Sequence, residues 1–129
     1  MKFTQQRQEG ANFIRRYGAD FIVVGEQEIR TSCIVGVNSL TPWPPRSIEE
    51  LGTEHLPVLF ELAPEVVVLA TGATQKFPRA ALRAEFATRR IGLEVMEIGA
   101  ASRTFNVLVS EERRVLAAIL LPGPAKRSE

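Results

Sequence analysis

The stretch that decides the fold is Glu65-Val66-Val67-Val68-Leu69-Ala70-Thr71-Gly72-Ala73-Thr74-Gln75-Lys76-Phe77-Pro78. Its apolar half, Val66 to Ala70, predicts a β-strand that is buried on both faces, as in sheets covered by helices on each side. The apolar run ends at a small polar turn around Gly72. Because open α/β sheets bind ligands in the loops that leave such strands, the stretch predicts both a fold and a place to look for a site.

The chain around this strand alternates between helical and extended patterns. Before it, Thr53 is the predicted N-cap of a helix with an apolar face. After it, an amphipathic helix is expected to start at Pro78 and to end at Gly92, whose lack of a side chain suits the left-handed turn of a C-cap. The strict alternation from Leu93 to Ile98 predicts a half-exposed strand near a sheet edge.

The last part of the chain predicts one more helix and one more strand. Gly99 to Arg114 contains a short strand-like run, but its apolar residues recur at i, i+3, i+4 and i+7, which favours a helix. Val115 to Leu121 is an apolar run that predicts the strand closing the sheet. This order of strands and helices is typical of a largely parallel sheet with right-handed crossovers.

The first third of the chain predicts a β-meander. Asn12 to Tyr17, Asp20 to Val24 and Glu28 to Val37 are short segments rich in Phe, Ile and Val, separated by glycine-containing turns. Val37 to Arg46 carries three prolines and predicts no regular element. Ser47 to Glu50 fits a capping box and predicts a short helix. Added to the second half, the meander gives a mixed sheet covered by helices.

The domain boundaries follow from this pattern. The chain of 129 residues is expected to form a single α/β domain over residues 12–122. Residues 1–11 are expected to be a flexible N-terminal segment, and residues 123–129 a disordered tail.

Composition excludes several classes of protein. Sixteen basic and fifteen acidic residues leave a net charge of +1, so no field attracts nucleic acid. No apolar stretch approaches the roughly 20 residues that cross a bilayer, and the start lacks an apolar signal region, so no membrane insertion and a bacterial-type cytoplasmic location are expected. The single cysteine, Cys33, excludes an intrachain disulfide and is expected to be a small core residue.

The residues available for catalysis are few. A catalytic triad would need both the one histidine, His55, and the one aspartate, Asp20, in an arrangement that matches no local signature. His55 has no partner for a metal site, and Ser102 does not lie in a nucleophile elbow. Neither glycine-rich phosphate motif is present. We therefore assign no catalytic residue, metal or cofactor, and the sequence leaves enzymatic activity open while favouring a noncatalytic role.

Two groups of polar residues form a candidate pocket at the strand ends. Backbone amides of the loop after the buried strand could bind an anion, and the guanidinium and free amides near the start of the last helix could hold a carboxylate or phosphate beside it. Alternatively, the loop is a structural turn, Arg103 pairs with a surface glutamate and Asn106 satisfies backbone groups. The residues of this candidate pocket are Thr71, Gly72, Ala73, Thr74, Phe77, Arg103, Thr104 and Asn106.

A candidate partner surface comprises Trp43, Arg113 and Arg114. The charge run Glu111 to Arg114 is either a solvated face or, if it clusters with other groups, a rim that binds a protein.

The same residues resemble a known family. Val67-Val68-Leu69-Ala70-Thr71-Gly72, the run Gly92 to Met96, and Ala101-Ser102-Arg103-Thr104-Phe105-Asn106-Val107-Leu108 are similar to the family called domain of unknown function 498. The resemblance covers roughly Ala19 to Leu121. It implies a three-layer α/β fold with a mixed central sheet, no established catalytic residue, and a role in assembly through protein contacts, as in the family's complex I assembly factor 3.

The sequence therefore leaves two candidate functions. The first is a noncatalytic protein-interaction domain or assembly-accessory factor with an unidentified protein partner. The alternative is a small-molecule or anion-binding protein, or a weak enzyme, that uses the cleft at the strand ends.

Overall fold

A computed structural model describes residues 10–124. The flexible segment and most of the tail expected from the sequence, residues 1–9 and 125–129, lie outside the described residues. Within them the first three strands form a small antiparallel sheet in the order β1 (Ile14–Gly18), β2 (Phe21–Val24) and β3 (Gln27–Ile29).

The main sheet is mixed and has five strands. In the order in which they pair they are β5 (Leu40–Pro42), β4 (Thr31–Gly36), β8 (Val115–Pro122), β6 (Val66–Ala70) and β7 (Gly92–Met96). The strand β6 runs parallel to both β7 and β8, whereas β4 runs antiparallel to β8 and β5. The strand expected to close the sheet, β8, therefore lies at its centre, and β7 lies at an edge as expected.

Three helices and a 3-10 turn cover the main sheet within the described residues. They are the 3-10 turn Thr53–His55, α1 (Pro57–Glu61), α2 (Ala80–Thr88) and α3 (Ile98–Ser110).

The two faces of the main sheet carry separate hydrophobic cores. On one face Val66, Val68 and Ala70 of β6 pack in a cluster with α3 and the small sheet. On the other face Val67 and Leu69 pack in a cluster with α1 and α2. All five residues of β6 are buried, which confirms the predicted strand and gives the three-layer α/β architecture.

The predicted third strand, Glu28 to Val37, is wrong as a single element. It divides at Arg30 into β3 and β4, which belong to different sheets. The apolar alternation continues through the division, from Ile29 to Cys33 and Val35, and so gave no sign of it. The meander consequently forms its own sheet on α3 instead of extending the main sheet.

The segment between β4 and α1 also differs from the sequence prediction. The stretch expected to be irregular contains β5, whose Pro42 lies on an edge strand, where proline is tolerated. The predicted helix at Ser47 is a turn. Ser47 Oγ accepts from the amide of Glu50 at 3.3 Å, but the Glu50 carboxylate accepts from the amide of Arg46 instead of completing the capping box.

Two helix ends are corrected by the structure. Thr53 starts the 3-10 turn, and Gly52, not Thr53, is its cap. The helix expected to run to Gly92 ends at Thr88, and the left-handed residue after it is Arg90 with φ 60°. Gly92 instead begins β7. The helical alternative for the segment after Ile98 is confirmed by α3.

Candidate functional site

The loop that leaves β6 is held by its own side chains. Thr71 is 8% exposed, and its hydroxyl donates to the carbonyl of Thr74 at 2.7 Å and accepts from the amide of Lys76 at 3.0 Å. Gly72 has φ 99°, a conformation that glycine adopts without strain, and its carbonyl accepts from the amide of Ile98 at 2.8 Å. The loop is thus a closed turn attached to the start of α3.

Two of the predicted pocket residues on α3 point to β1. The Asn106 side chain accepts from the amide of Ile14 at 2.8 Å and donates to its carbonyl at 2.9 Å. Arg103, one turn earlier, donates to the hydroxyl of Tyr17 at 2.6 Å. The structural alternative expected Arg103 to pair with a surface glutamate, but its guanidinium bonds to a tyrosine. The same alternative expected the Asn106 side chain to satisfy backbone groups, as it does here.

The structure brings only part of the candidate pocket together. The Thr104 hydroxyl lies 3.3 Å from the sulfur of Met96, whose carbonyl accepts from the amide of Thr71 at 2.9 Å. Thr104 therefore lies near the loop, whereas Arg103 and Asn106 are directed to the small sheet. The other loop residues of the set are exposed: Ala73, Thr74 and Phe77.

Glu97 is a site residue that the sequence reasoning missed. Its two carboxylate oxygens accept from the amides of Gly99 at 2.7 Å and Ala100 at 2.8 Å, so Glu97 is the N-cap of α3. These backbone hydrogen bonds, first from Gly99 and then from Ala100, lower the pKa of Glu97, with a further contribution from Arg103. An acidic residue just before a helix was the available signal. Glu97 occupies the free amides that the sequence offered to an anion.

A groove lies at the other end of α3 and has a volume of about 640 Å³. We call it the α3 groove. Most of the surface that lines it is apolar. The lining residues come from the segment before β1, the turn after β4, the end of α3 and the residues that follow α3: Ala11, Phe13, Val37, Asn38, Val109, Ser110, Glu112, Arg113 and Arg114. Two residues of the predicted partner surface, Arg113 and Arg114, therefore lie together on its wall.

Glu65 anchors the two arginines of the α3 groove. Its carboxylate lies 3.1 Å from Nε of Arg113 and accepts from the amide of Arg114 at 3.0 Å. These contacts, led by the backbone hydrogen bond from Arg114, lower the pKa of Glu65. Nε of Arg114 donates to the carbonyl of Ala63 at 3.2 Å. Both guanidinium groups are therefore oriented by the chain itself.

Trp43 does not belong to this surface. The ring is 4% exposed within the core that contains α1 and α2, and its Nε1 donates to the carbonyl of His55 at 3.0 Å. The prediction that Trp43 contributes to a partner surface is wrong for this reason. His55 also has a structural contact, because its Nδ1 accepts from the amide of Gly52 at 3.0 Å.

The Cys33 thiol lies in the core, and two further features are absent from the described residues. Cys33 is buried, and burial raises the pKa of its thiol to about 12. In the part of the chain that the structure describes, no three His, Cys, Asp or Glu side chains come together as metal ligands would. Among the same residues, no helix has the length and apolar character needed to cross a bilayer.

Comparison with known proteins decides the family. Residues 14–120 match the model of the family described as protein of unknown function (DUF498/DUF598). The chain belongs to this family. The resemblance seen in the sequence is thereby confirmed, and it spans both sheets and all three helices.

Three of the curated relatives that the chain matches are named as assembly factors. The protein is 37% identical over 95 residues to NADH dehydrogenase [ubiquinone] 1 alpha subcomplex assembly factor 3 of Danio rerio, an alignment that covers 72% of this chain and 54% of the relative. The protein of the same name from Bos taurus is 32% identical over 117 residues, covering 88% of this chain and 62% of the relative. The chain thus spans little more than half the length of these relatives.

Solved structures share the fold. A Xanthomonas campestris protein whose structure was determined by NMR is 35% identical in sequence to this chain and superposes with a TM-score of 0.85. The alignment covers 100% of this chain and 98% of that one. A Bordetella pertussis protein, described as a Mth938-like domain, superposes with a TM-score of 0.79 at 23% identity over 97% of this chain and 95% of that chain. At that identity the second likeness shows the fold alone.

Proposed function

We propose that this domain is a noncatalytic protein-interaction module with an accessory role in the assembly of a larger complex. The names of three curated relatives support the assembly role. The observation that carries the interaction role is the α3 groove, because a mostly apolar depression that also carries charged residues is typical of a surface that binds a protein.

The contacts of the polar residues support a noncatalytic role. Arg103 and Asn106 are hydrogen-bonded to β1, and His55 is hydrogen-bonded to the amide of Gly52. The raised pKa of Cys33 keeps its thiol protonated near neutral pH, and a thiol is a poor nucleophile compared with a thiolate. These side chains stabilise the fold and present no nucleophile with an adjacent base.

The alternative function, an anion or small-molecule site at the strand ends, has weaker support. The amides at the start of α3 already bind the carboxylate of Glu97, and the hydroxyl of Thr71 already bonds within its loop. An anion there would have to displace a charged side chain of the protein. The domain limits 12–122 and the cytoplasmic location stay predictions.

The test is capture of a partner from native lysate by the tagged chain of 129 residues, with one variant inside the α3 groove. Asn38 is exposed on the groove wall, so Asn38→Arg places a long cation in the groove without removing a core contact. We expect this variant to recover the specific partner roughly tenfold less efficiently, as for a central interface position.

The matched control is Gln27→Arg, which adds the same charge at an exposed position of β3. It is expected to capture the partner as well as the unmodified chain does. Recovery of no specific partner by the unmodified chain under any condition contradicts the interaction role. Equal recovery with both variants contradicts the placement of the partner in the α3 groove.

A further inference from the structure

The main sheet has an open edge at β7. The amide of Gly92 donates to Glu65 and the carbonyl of Met96 accepts from Thr71, so the backbone groups of these two residues face β6. Because backbone groups alternate along a strand, those of Glu94 also face β6, whereas those of Leu93 and Val95 face away from the sheet. We call the outward groups of these two residues the β7 edge.

One of the outward groups is covered by a side chain. Nε2 of Gln75 donates to the carbonyl of Val95 at 2.8 Å. Within residues 10–124 we find no hydrogen-bond partner for the amides of Leu93 and Val95 or for the carbonyl of Leu93. The β7 edge is thus a strand edge with three open backbone groups and one that an exposed, displaceable side chain covers.

We propose that the β7 edge binds an extended segment of a partner protein as a sixth strand, which displaces the Gln75 side chain. Backbone donors and acceptors that repeat every second residue are matched by another backbone, which is the basis of β-strand addition. The proposal rests on the proposed interaction role and deepens it, since it names a second surface and the conformation of the segment that binds there.

Side chains on the edge specify the sequence of that segment. Leu93 and Val95 are half-buried against the core that contains α2, so apolar residues are favoured opposite them. Glu94 points to the other face, is exposed, and forms no ion pair within the described residues, so a basic residue is favoured opposite it. The segment is therefore apolar, basic, apolar in consecutive positions.

An exposed aromatic ring follows the covering side chain. Phe77, two residues after Gln75, is 66% exposed. Aromatic residues are enriched at protein interfaces, and this exposed ring is therefore a second feature of the same loop that favours binding of a protein.

A second copy of the chain fits the edge less well than a different protein. In an antiparallel pair of β7 strands centred on Glu94, the two Glu94 carboxylates would lie directly opposite each other. Like charges at that position are destabilising. We therefore commit to a heterologous segment.

In the experiment, the isotopically labelled chain of 129 residues is titrated with a synthetic acetylated peptide, Gly-Thr-Val-Lys-Val-Thr-Gly amide, and observed by NMR. The matched peptide carries glutamate in place of the central lysine. We expect shifts at the amides of Leu93 and Val95 and at the side-chain amide of Gln75, and slower hydrogen exchange at Leu93. The lysine peptide is expected to bind about two- to fivefold more tightly than the glutamate peptide.

Two variants separate binding at the edge from a structural effect. Gln75→Ala removes the competing side chain and is expected to strengthen peptide binding, which loss of a merely structural contact would not do. Glu94→Lys is expected to reverse the preference between the two peptides. The control Glu85→Lys makes the same charge change on the exposed face of α2 and is expected to leave the preference unchanged.

The outcomes are decisive in either direction. The proposal is overturned if the lysine peptide causes no chemical-shift changes, or changes only outside the β7 edge. It is also overturned if Gln75→Ala binds the peptide as well as, or less tightly than, the unmodified chain. Shifts at the β7 edge that depend on protein concentration without peptide assign the edge to a second copy, and also overturn it. If Glu94→Lys still captures the native partner in full, the edge proposal fails and the interaction role stands. If no partner is captured while the peptide binds, the interaction role fails instead.

Discussion

Asn106 shows how one side chain can take the place of a neighbouring strand. Its amide makes both the donor and the acceptor contact with Ile14, a residue 92 positions earlier in the chain. A peptide group of an adjacent strand would offer the same pair of contacts. The side chain therefore joins α3 to the free edge of the small sheet.

We expect Asn106→Asp to lower the free energy of unfolding by about 1 to 3 kcal/mol, because the carboxylate has no N–H to donate and faces the carbonyl of Ile14. Urea denaturation measures the change. The control Asn38→Asp makes the same substitution at an exposed position and is expected to stay within about 0.5 kcal/mol of the unmodified chain. Equal effects of the two substitutions would show that the amide contact contributes little.

The sequence identified the polar residues of α3 but not their direction. Arg103 and Asn106 are three positions apart and therefore share a helix face, which the spacing predicts. Whether that face meets the loop after β6 or the small sheet depends on where β1 packs. The split of the predicted third strand, which frees β1 to β3 from the main sheet, left no trace in the apolar alternation. The sequence therefore did not indicate that Arg103 and Asn106 are directed away from the candidate pocket.

At the scale of elements, all three described helices are followed by a residue other than glycine in the left-handed region. These residues are Ala63 with φ 53°, Arg90 with φ 60° and Glu112 with φ 62°. The conformation costs L-residues roughly 1 to 2 kcal/mol, and glycine avoids most of that cost. The sequence rule that places glycine at a helix end therefore selected Gly92, two positions too late.

We expect Arg90→Gly to raise the free energy of unfolding by about 0.5 to 1 kcal/mol, because the strain is removed while the greater freedom of glycine in the unfolded chain offsets part of the gain. Thermal denaturation measures the change. The same substitution at Arg83, exposed within α2, is expected to destabilise by about 1 kcal/mol. Destabilisation by both substitutions would mean that the Arg90 side chain makes a contact that matters more than its backbone strain.

The strands β6 and β8 were predictable for a physical reason that does not apply to the edge strand β5. Both strands are buried on both faces, so every residue is apolar and the pattern is unmistakable. The strand β5 has only three residues, one of which is proline, and it pairs with a single neighbouring strand. Nothing in its composition therefore distinguishes it from a loop. Predictability here follows burial, so the exposed edges of the sheet are its least predictable parts.

At the scale of the whole molecule, the two cores share strands of the main sheet, including β4, β6 and β8. Alternate residues of β8 belong to different clusters: Val115, Ala117, Ile119 and Leu121 pack with α3, whereas Leu116, Ala118 and Leu120 pack with α1 and α2. The alternation along β6 has the same effect. Loss of either core would expose one face of β6 and β8, so the two cores should unfold together.

We expect Phe105→Leu, a change in the core of α3, to shift the unfolding transition reported by Trp43, which lies in the other core. Phe105 is fully buried, and the smaller side chain should cost roughly 1 to 2 kcal/mol. Urea titrations followed by Trp43 fluorescence and by circular dichroism should move together by this amount, since each probe reports the same transition. A fluorescence midpoint that stays in place while the dichroism transition divides into two would show that the cores unfold independently.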